Sequence, residues 1–122
     1  LNDYPIKVHL GFKNAYDTVR EKVLNRMIEN LENFNNIIVT GHSKGGALAH
    51  LAFFDIGCYF NKKSKKESVN LITFGSPKVG NSAFKFNINQ LGDHLRGLVA
   101  RFVNGNDIVP SVPPHPFVHC GT

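Results

Sequence analysis

Residues 38–46 read Ile-Val-Thr-Gly-His-Ser-Lys-Gly-Gly. The β-branched run at 37–40 has the composition of a strand buried on both faces. Residues 47–59 are apolar nearly all round, as in a helix packed beneath other layers. Between them the glycines mark a sharp turn, because a backbone without Cβ atoms bends where other residues clash. A strand, a tight turn and a buried helix in direct succession predict one βα unit of a parallel sheet.

Downstream the pattern recurs. Residues 69–74 read as a second buried strand ending at Gly75-Ser76-Pro77. Residues 81–91 read as a short helix and 97–103 as a third strand, followed by a loop with Pro110, Pro113, Pro114 and Pro116. Upstream, the alternation at 6–10 predicts a half-buried strand. Val19, Val23, Met27 and Leu31, with Leu24 and Ile28 widening the stripe, predict an amphipathic helix running from Tyr16. Asn14 is its expected N-cap, Asp17 lies in its first turn, and residues 33–36 close it. There is no internal repeat or low-complexity tract. The expected fold is α/β, a mostly parallel sheet with helices on both faces.

Three strands alone leave both sheet edges open, which complete domains avoid. The chain is therefore expected to be the central part of a larger domain. It starts at Leu1 rather than methionine, so its natural N-terminus is expected upstream, and a leader peptide and the compartment stay open.

Composition narrows the classes further. A length of 122 residues suits one domain, and 42% apolar with 19% charged residues is ordinary for a globular chain. The most apolar stretch, 47–60, is interrupted by His50, Asp55 and Gly57, and nothing approaches the roughly 20 apolar residues of a membrane span. The net charge is +5. Much of it sits in Asn61-Lys62-Lys63-Ser64-Lys65-Lys66, which reads as a solvated loop between helix and strand. Each basic residue near an anionic lipid surface contributes about 1 kcal/mol of attraction, but no aromatic residue interleaves the run, so nucleic acid is not an expected partner. The spacing of Cys58 and Cys120 demands no disulfide.

The chemistry centres on Gly41-His42-Ser43-Lys44-Gly45. A serine hydroxyl is a weak nucleophile that must be exposed, oriented and deprotonated by a base. The G-x-S-x-G turn between strand and helix supplies the first two. It also aims the Lys44 backbone N–H at a developing oxyanion, beside the positive end of the helix dipole. An acid is expected later in the chain, and Asp107, just beyond the third strand, fits. The competing reading is an Asn-Asp turn that caps its own backbone. Asp93 is the rival acid, in a segment that reads as a surface turn. Downstream of Asp107 lie His115 and His119, and His119, preceded by an aromatic and a valine, is the better base of the two. The interval of eight to twelve proline-stiffened residues leaves little room for the sheet element that usually separates acid from base. His115, His119 and Cys120 have an H-x3-H spacing, but no fourth zinc ligand is evident. His42 reads as a packing residue tied to the turn.

At these residues the chain resembles the class 3 lipase family. Val8-His9-Leu10-Gly11-Phe12 is similar to the family's His-x-Gly-Phe segment, and 41–49 match its elbow. Residues 73–81 resemble its following strand and turn, and 101–110 its acid-bearing segment. The resemblance implies an α/β-hydrolase acting on acylglycerols or related lipid esters, with Ser43 as nucleophile, Asp107 as triad acid, the Lys44 amide as one oxyanion donor, and no metal or organic cofactor. It places a second oxyanion residue upstream of Leu1 and the catalytic histidine beyond Thr122. It also marks a departure, since the family usually has leucine where this chain has Lys44. A non-catalytic scaffold on the same fold, and a phospholipase or acyltransferase on the same triad, are the alternatives.

Overall fold

The computed structural model describes residues 5–63 and 68–122. Three parallel strands, β1 (Asn36–His42), β2 (Ser68–Phe74) and β3 (Val99–Phe102), lie side by side in that order. His42 pairs with Phe74 and Phe74 with Phe102, so the strands end level at their carboxyl edge. Helix α3 (Lys44–Lys63) connects β1 to β2, and α4 (Ser82–His94) connects β2 to β3. Both connections step the same way across the sheet. Since parallel crossovers are right-handed almost without exception, α3 and α4 lie on one face.

Burial follows from that arrangement. Val69, Leu71 and Thr73 of β2 are sealed beneath the helices, with Phe53, Ile56 and Phe60 of α3 and Phe84 and Ile88 of α4 packed above them. Ile38, Phe74 and Phe102, on alternate positions, are 58%, 46% and 56% exposed. The expected parallel α/β architecture is present. Among the described residues, however, the helices cover a single face. β1, predicted to be buried on both faces, instead alternates between exposed and half-buried positions. Its β-branched run records apolar side chains on both faces, not what covers them.

The N-terminal third departs further from the sequence reading. The predicted strand at 6–10 is reduced to one antiparallel bridge, Val8 with Gly80. Its partner segment turns into α4 two residues later, which leaves no ladder to extend. Helix α1 (Leu10–Asp17) starts six residues earlier than expected. His9, not Asn14, is its N-cap, with Nδ1 accepting the Phe12 N–H at 3.3 Å. Asp17 ends this helix, where it is ion-paired with Lys13 at 2.6 Å. The predicted single helix is broken at Thr18, whose hydroxyl donates back to the Ala15 carbonyl at 2.7 Å. A second helix, α2 (Arg20–Glu29), then restarts. A threonine back-bonded in this way competes with the helical ladder. A short 3-10 turn, Leu31–Asn33, leads into β1.

The helix expected at 81–91 is present. Asn81 caps α4 through its side-chain oxygen and the Phe84 N–H, and the helix runs three residues past its predicted end. Of the basic run, 61–63 finish α3, and 64–67 lie outside the described residues. No helix among the described residues is long and apolar enough to cross a membrane.

Phe53 is fully buried between α3 and the sheet. Phe53→Ala should lower unfolding stability by about 3–5 kcal/mol, the usual cost of deleting a core aromatic. Urea titration of the purified protein reads this, and a loss under about 1 kcal/mol would contradict the packing described.

Candidate active site

The carboxyl edge of the sheet gathers Ser43, Lys44, His42, Gly75 and Asp107. Ser43 sits directly after β1 with φ of 53°. That is left-handed backbone, sparsely populated for residues other than glycine and typical of functional sites. The bend is fixed on both sides. The Ser43 N–H donates to the Phe74 carbonyl at 2.9 Å, and the Ser43 carbonyl accepts from Gly46 N–H at 2.9 Å. Gly41 must lack a Cβ, since one would stand 2.2 Å from the Gly45 carbonyl oxygen. Gly45, the second glycine of the pentapeptide, meets nothing within 4 Å, whereas a Cβ on Gly46 would press on Ser76 at 2.8 Å. Of the two, only Gly46 packs too closely to carry a side chain.

The Ser43 side chain is half-buried, and its hydroxyl has no hydrogen-bond partner among the described residues. The Lys44 N–H, in the first turn of the 20-residue α3, likewise has no protein acceptor among them. Free N–H groups at a helix start are the expected donors to an incoming anion.

Asp107 lies at the same edge, in the loop after β3. Its two carboxylate oxygens divide their work. Oδ1 accepts the Val109 N–H at 3.0 Å, which is the self-capping turn weighed in the sequence reading. Oδ2 lies over Gly75, 2.8 Å from where a Cβ would be. Gly75 has φ of +60°, and the His42 Nε2 also lies near it, 3.9 Å from the same point. His42, Phe74, Gly75, Phe102, Val103, Asn104 and Asp107 line a cleft of about 370 Å³. His42 is exposed in this cleft rather than packed. Gly75 had no role in the sequence reading. Its position at the end of a buried strand is the signal that marks it.

The remaining candidates lie elsewhere. Asp93 is exposed in the last turn of α4, which has returned to the opposite edge of the sheet. His115 is exposed beside Pro5, Lys7 and Asn81. His119 directs Nε2 at the Pro110 carbonyl, 2.5 Å away, and makes no hydrogen bond to Asp107 or Ser43. Burial lowers its pKa, and the bond to Pro110 opposes this. His115, His119 and Cys120 do not converge. No group of three metal-ligating side chains occurs among the described residues. Cys58 and Cys120 are both free thiols, and burial pushes Cys120 up to about 12.

Beneath the elbow lies His50, a buried side chain the sequence reading treated only as an interruption of an apolar helix. It is 3% exposed, and its Nδ1 bonds the Gly46 carbonyl at 2.8 Å. The carbonyl can only accept, so Nδ1 carries the proton of a neutral ring. Burial lowers the pKa to about 4, with the Gly46 bond opposing the shift.

A parallel sheet with a strand–turn–helix elbow at its carboxyl edge is the architecture of an α/β-hydrolase. The chain belongs to the class 3 lipase family, whose model, "Lipase (class 3)", matches residues 2–117. It is 35% identical over 111 residues to a secreted mono- and diacylglycerol lipase of Malassezia restricta, covering 89% of this chain and 35% of the relative. It is 36% identical over 132 residues to a chloroplastic phospholipase A1 of Arabidopsis thaliana, covering 91% of this chain and 24% of the relative. The solved lipase II of Rhizopus niveus superposes with a TM-score of 0.83 at 34% identity, covering 98% of this chain and 46% of that one. The chain thus spans a quarter to under half of the length of these proteins.

His50 sets an acid limit on stability. Unfolded, it takes up a proton near the ordinary 6.5; folded, only at about 4. Between those values the unfolded state binds more protons, so stability falls as pH drops from 6.5 toward 4. The loss should reach roughly 3 kcal/mol. Urea midpoints across that window should slope downward toward acid, and the slope should flatten in His50→Leu.

Proposed function

We propose that this chain forms the core of a carboxylic ester hydrolase acting on acylglycerols or related lipid esters through an acyl-enzyme on Ser43. The observation that carries the reading is the left-handed Ser43 at the elbow, its hydroxyl unpartnered among the described residues, with the Asp107 Oδ2 on the same edge. Strain of this kind costs of order 1–3 kcal/mol and persists where the surroundings enforce it.

In this reading Ser43 Oγ attacks the ester carbonyl, and a histidine takes its proton. The carbonyl oxygen becomes an oxyanion held by the Lys44 N–H and the start of α3. The imidazolium is stabilised by Asp107. The same histidine then protonates the leaving alkoxide, and water releases the acyl group by the reverse sequence. Oδ1 is engaged by Val109, which leaves Oδ2 to orient the imidazole at the cleft. His119 is bonded to Pro110, so the base is assigned to sequence outside 1–122, as is the second oxyanion donor. Residues 1–122 are accordingly read as a partial domain. Encounter with substrate at a lipid–water interface is supported by the exposed Phe102, Val103 and Ile108 around the same edge. Relatives that include both a glyceride lipase and a phospholipase A1 support lipid esters as the substrate class and do not divide it.

Fluorophosphonate labelling of the intact protein tests the reading. The label should attach to Ser43 and be lost in Ser43→Ala. Asp107→Asn should reduce kcat on a short-chain ester by about 10⁴-fold, as loss of a triad acid does. An intact protein that takes no label is a scaffold rather than an enzyme.

A further inference from the structure

The residue after the nucleophile carries a charge that the proposed chemistry does not use. Lys44 is exposed, and its ammonium makes no ion pair or hydrogen bond among the described residues. Its Cα is one peptide, about 3.8 Å, from that of Ser43. The elbow and the two loops beside it, 43–46, 75–81 and 103–112, contain a single carboxylate, Asp107, which the reading above commits to an imidazole. Two further cations near this edge have other settings. Lys78 Nζ donates to the Ser111 carbonyl at 3.3 Å, and Arg101 lies toward His50, His119 and Cys120. The positive end of the 20-residue α3 dipole adds to the field at Lys44. An unpaired, solvent-facing lysine beside a reaction centre is a point charge available to a phosphate.

We propose that Lys44 is a specificity-determining residue that favours lipid esters bearing their own negative charge, such as a phosphate-containing headgroup, over neutral glycerides. The inference rests on the esterase reading and deepens it. The two roles of residue 44 separate by atom. Its backbone N–H serves the oxyanion of every substrate, and its ammonium acts on charge near the scissile ester. Only the second changes the ratio between anionic and neutral substrates, and only the second is screened by salt.

The test compares kcat/KM of the intact protein on dihexanoyl phosphatidic acid and on dihexanoylglycerol, both kept below aggregation. The native protein should favour the anionic substrate by about tenfold at low salt, with the preference shrinking as salt rises. Lys44→Leu and Lys44→Gln should lose the preference, and Lys44→Arg should retain it. A third arm places dihexanoylglycerol on neutral vesicles with and without a dialkyl-ether phosphatidylglycerol that the enzyme cannot cleave. A tenfold gain in that arm, with none between the soluble substrates, assigns the charge effect to the surface and overturns the proposal. An equal fall on both soluble substrates in Lys44→Leu overturns it too, since a loss blind to substrate charge means that the ammonium does not discriminate. If neither ester is hydrolysed and fluorophosphonate does not label the protein, the esterase reading itself has failed. Labelled, active protein without a charge preference refutes only the role of Lys44.

Discussion

The approach of the Gly45 carbonyl to Gly41 is the contact on which the site depends. It brings the first turn of α3 against the end of β1 within a distance no side chain permits. Ser43, in the turn between them, is left-handed. The constraint then spreads sideways through backbone hydrogen bonds that continue one residue past each strand. Ser43 N–H reaches the Phe74 carbonyl, and Gly75 N–H reaches the Phe102 carbonyl at 2.8 Å. Elbow, Gly75 turn and acid loop are thereby tied in series across the sheet. Position at the edge is set by the ladder and not by contacts between the side chains themselves.

The elbow and the strands after it were legible because their signals are local. A β-branched run and a glycine spacing act within a few residues. The N-terminal helices were less legible. His9 caps α1 with a ring nitrogen, and histidine is not among the residues that usually announce a helix start. The break at Thr18 also leaves the apolar spacing of the flanking segments intact, so periodicity alone joins α1 to α2. Asp107 could be picked from its place after β3, but the division of work between its oxygens depends on the turn beside β2, more than thirty residues away. His50 and Gly75 were missed for a related reason. A histidine in an apolar helix and a glycine after a strand are both common, and only the packed neighbours give either a particular task.

Burial also sorts the reactive groups near the site. His50 is held neutral under the elbow as a donor to a helix carbonyl. Cys120, with its pKa pushed up to about 12, stays a thiol and does not compete as a nucleophile. Both are covered by the layer that leaves Ser43 and the cleft of Asp107 open. The same packing thus supports Ser43 from below and covers the other reactive side chains around it.

The empty position above Gly75 has an evolutionary consequence. The space a methyl group would take there is where the Asp107 Oδ2 now rests. One nucleotide change, glycine to alanine, would crowd the carboxylate aside while leaving serine and aspartate in the gene. A descendant altered in this way would still look like an enzyme to anyone reading only its signature residues. Under the chemistry proposed for Ser43 and Asp107, loss of catalysis would then precede loss of the motif, and the unfilled glycine between them would testify to activity as much as the two side chains do.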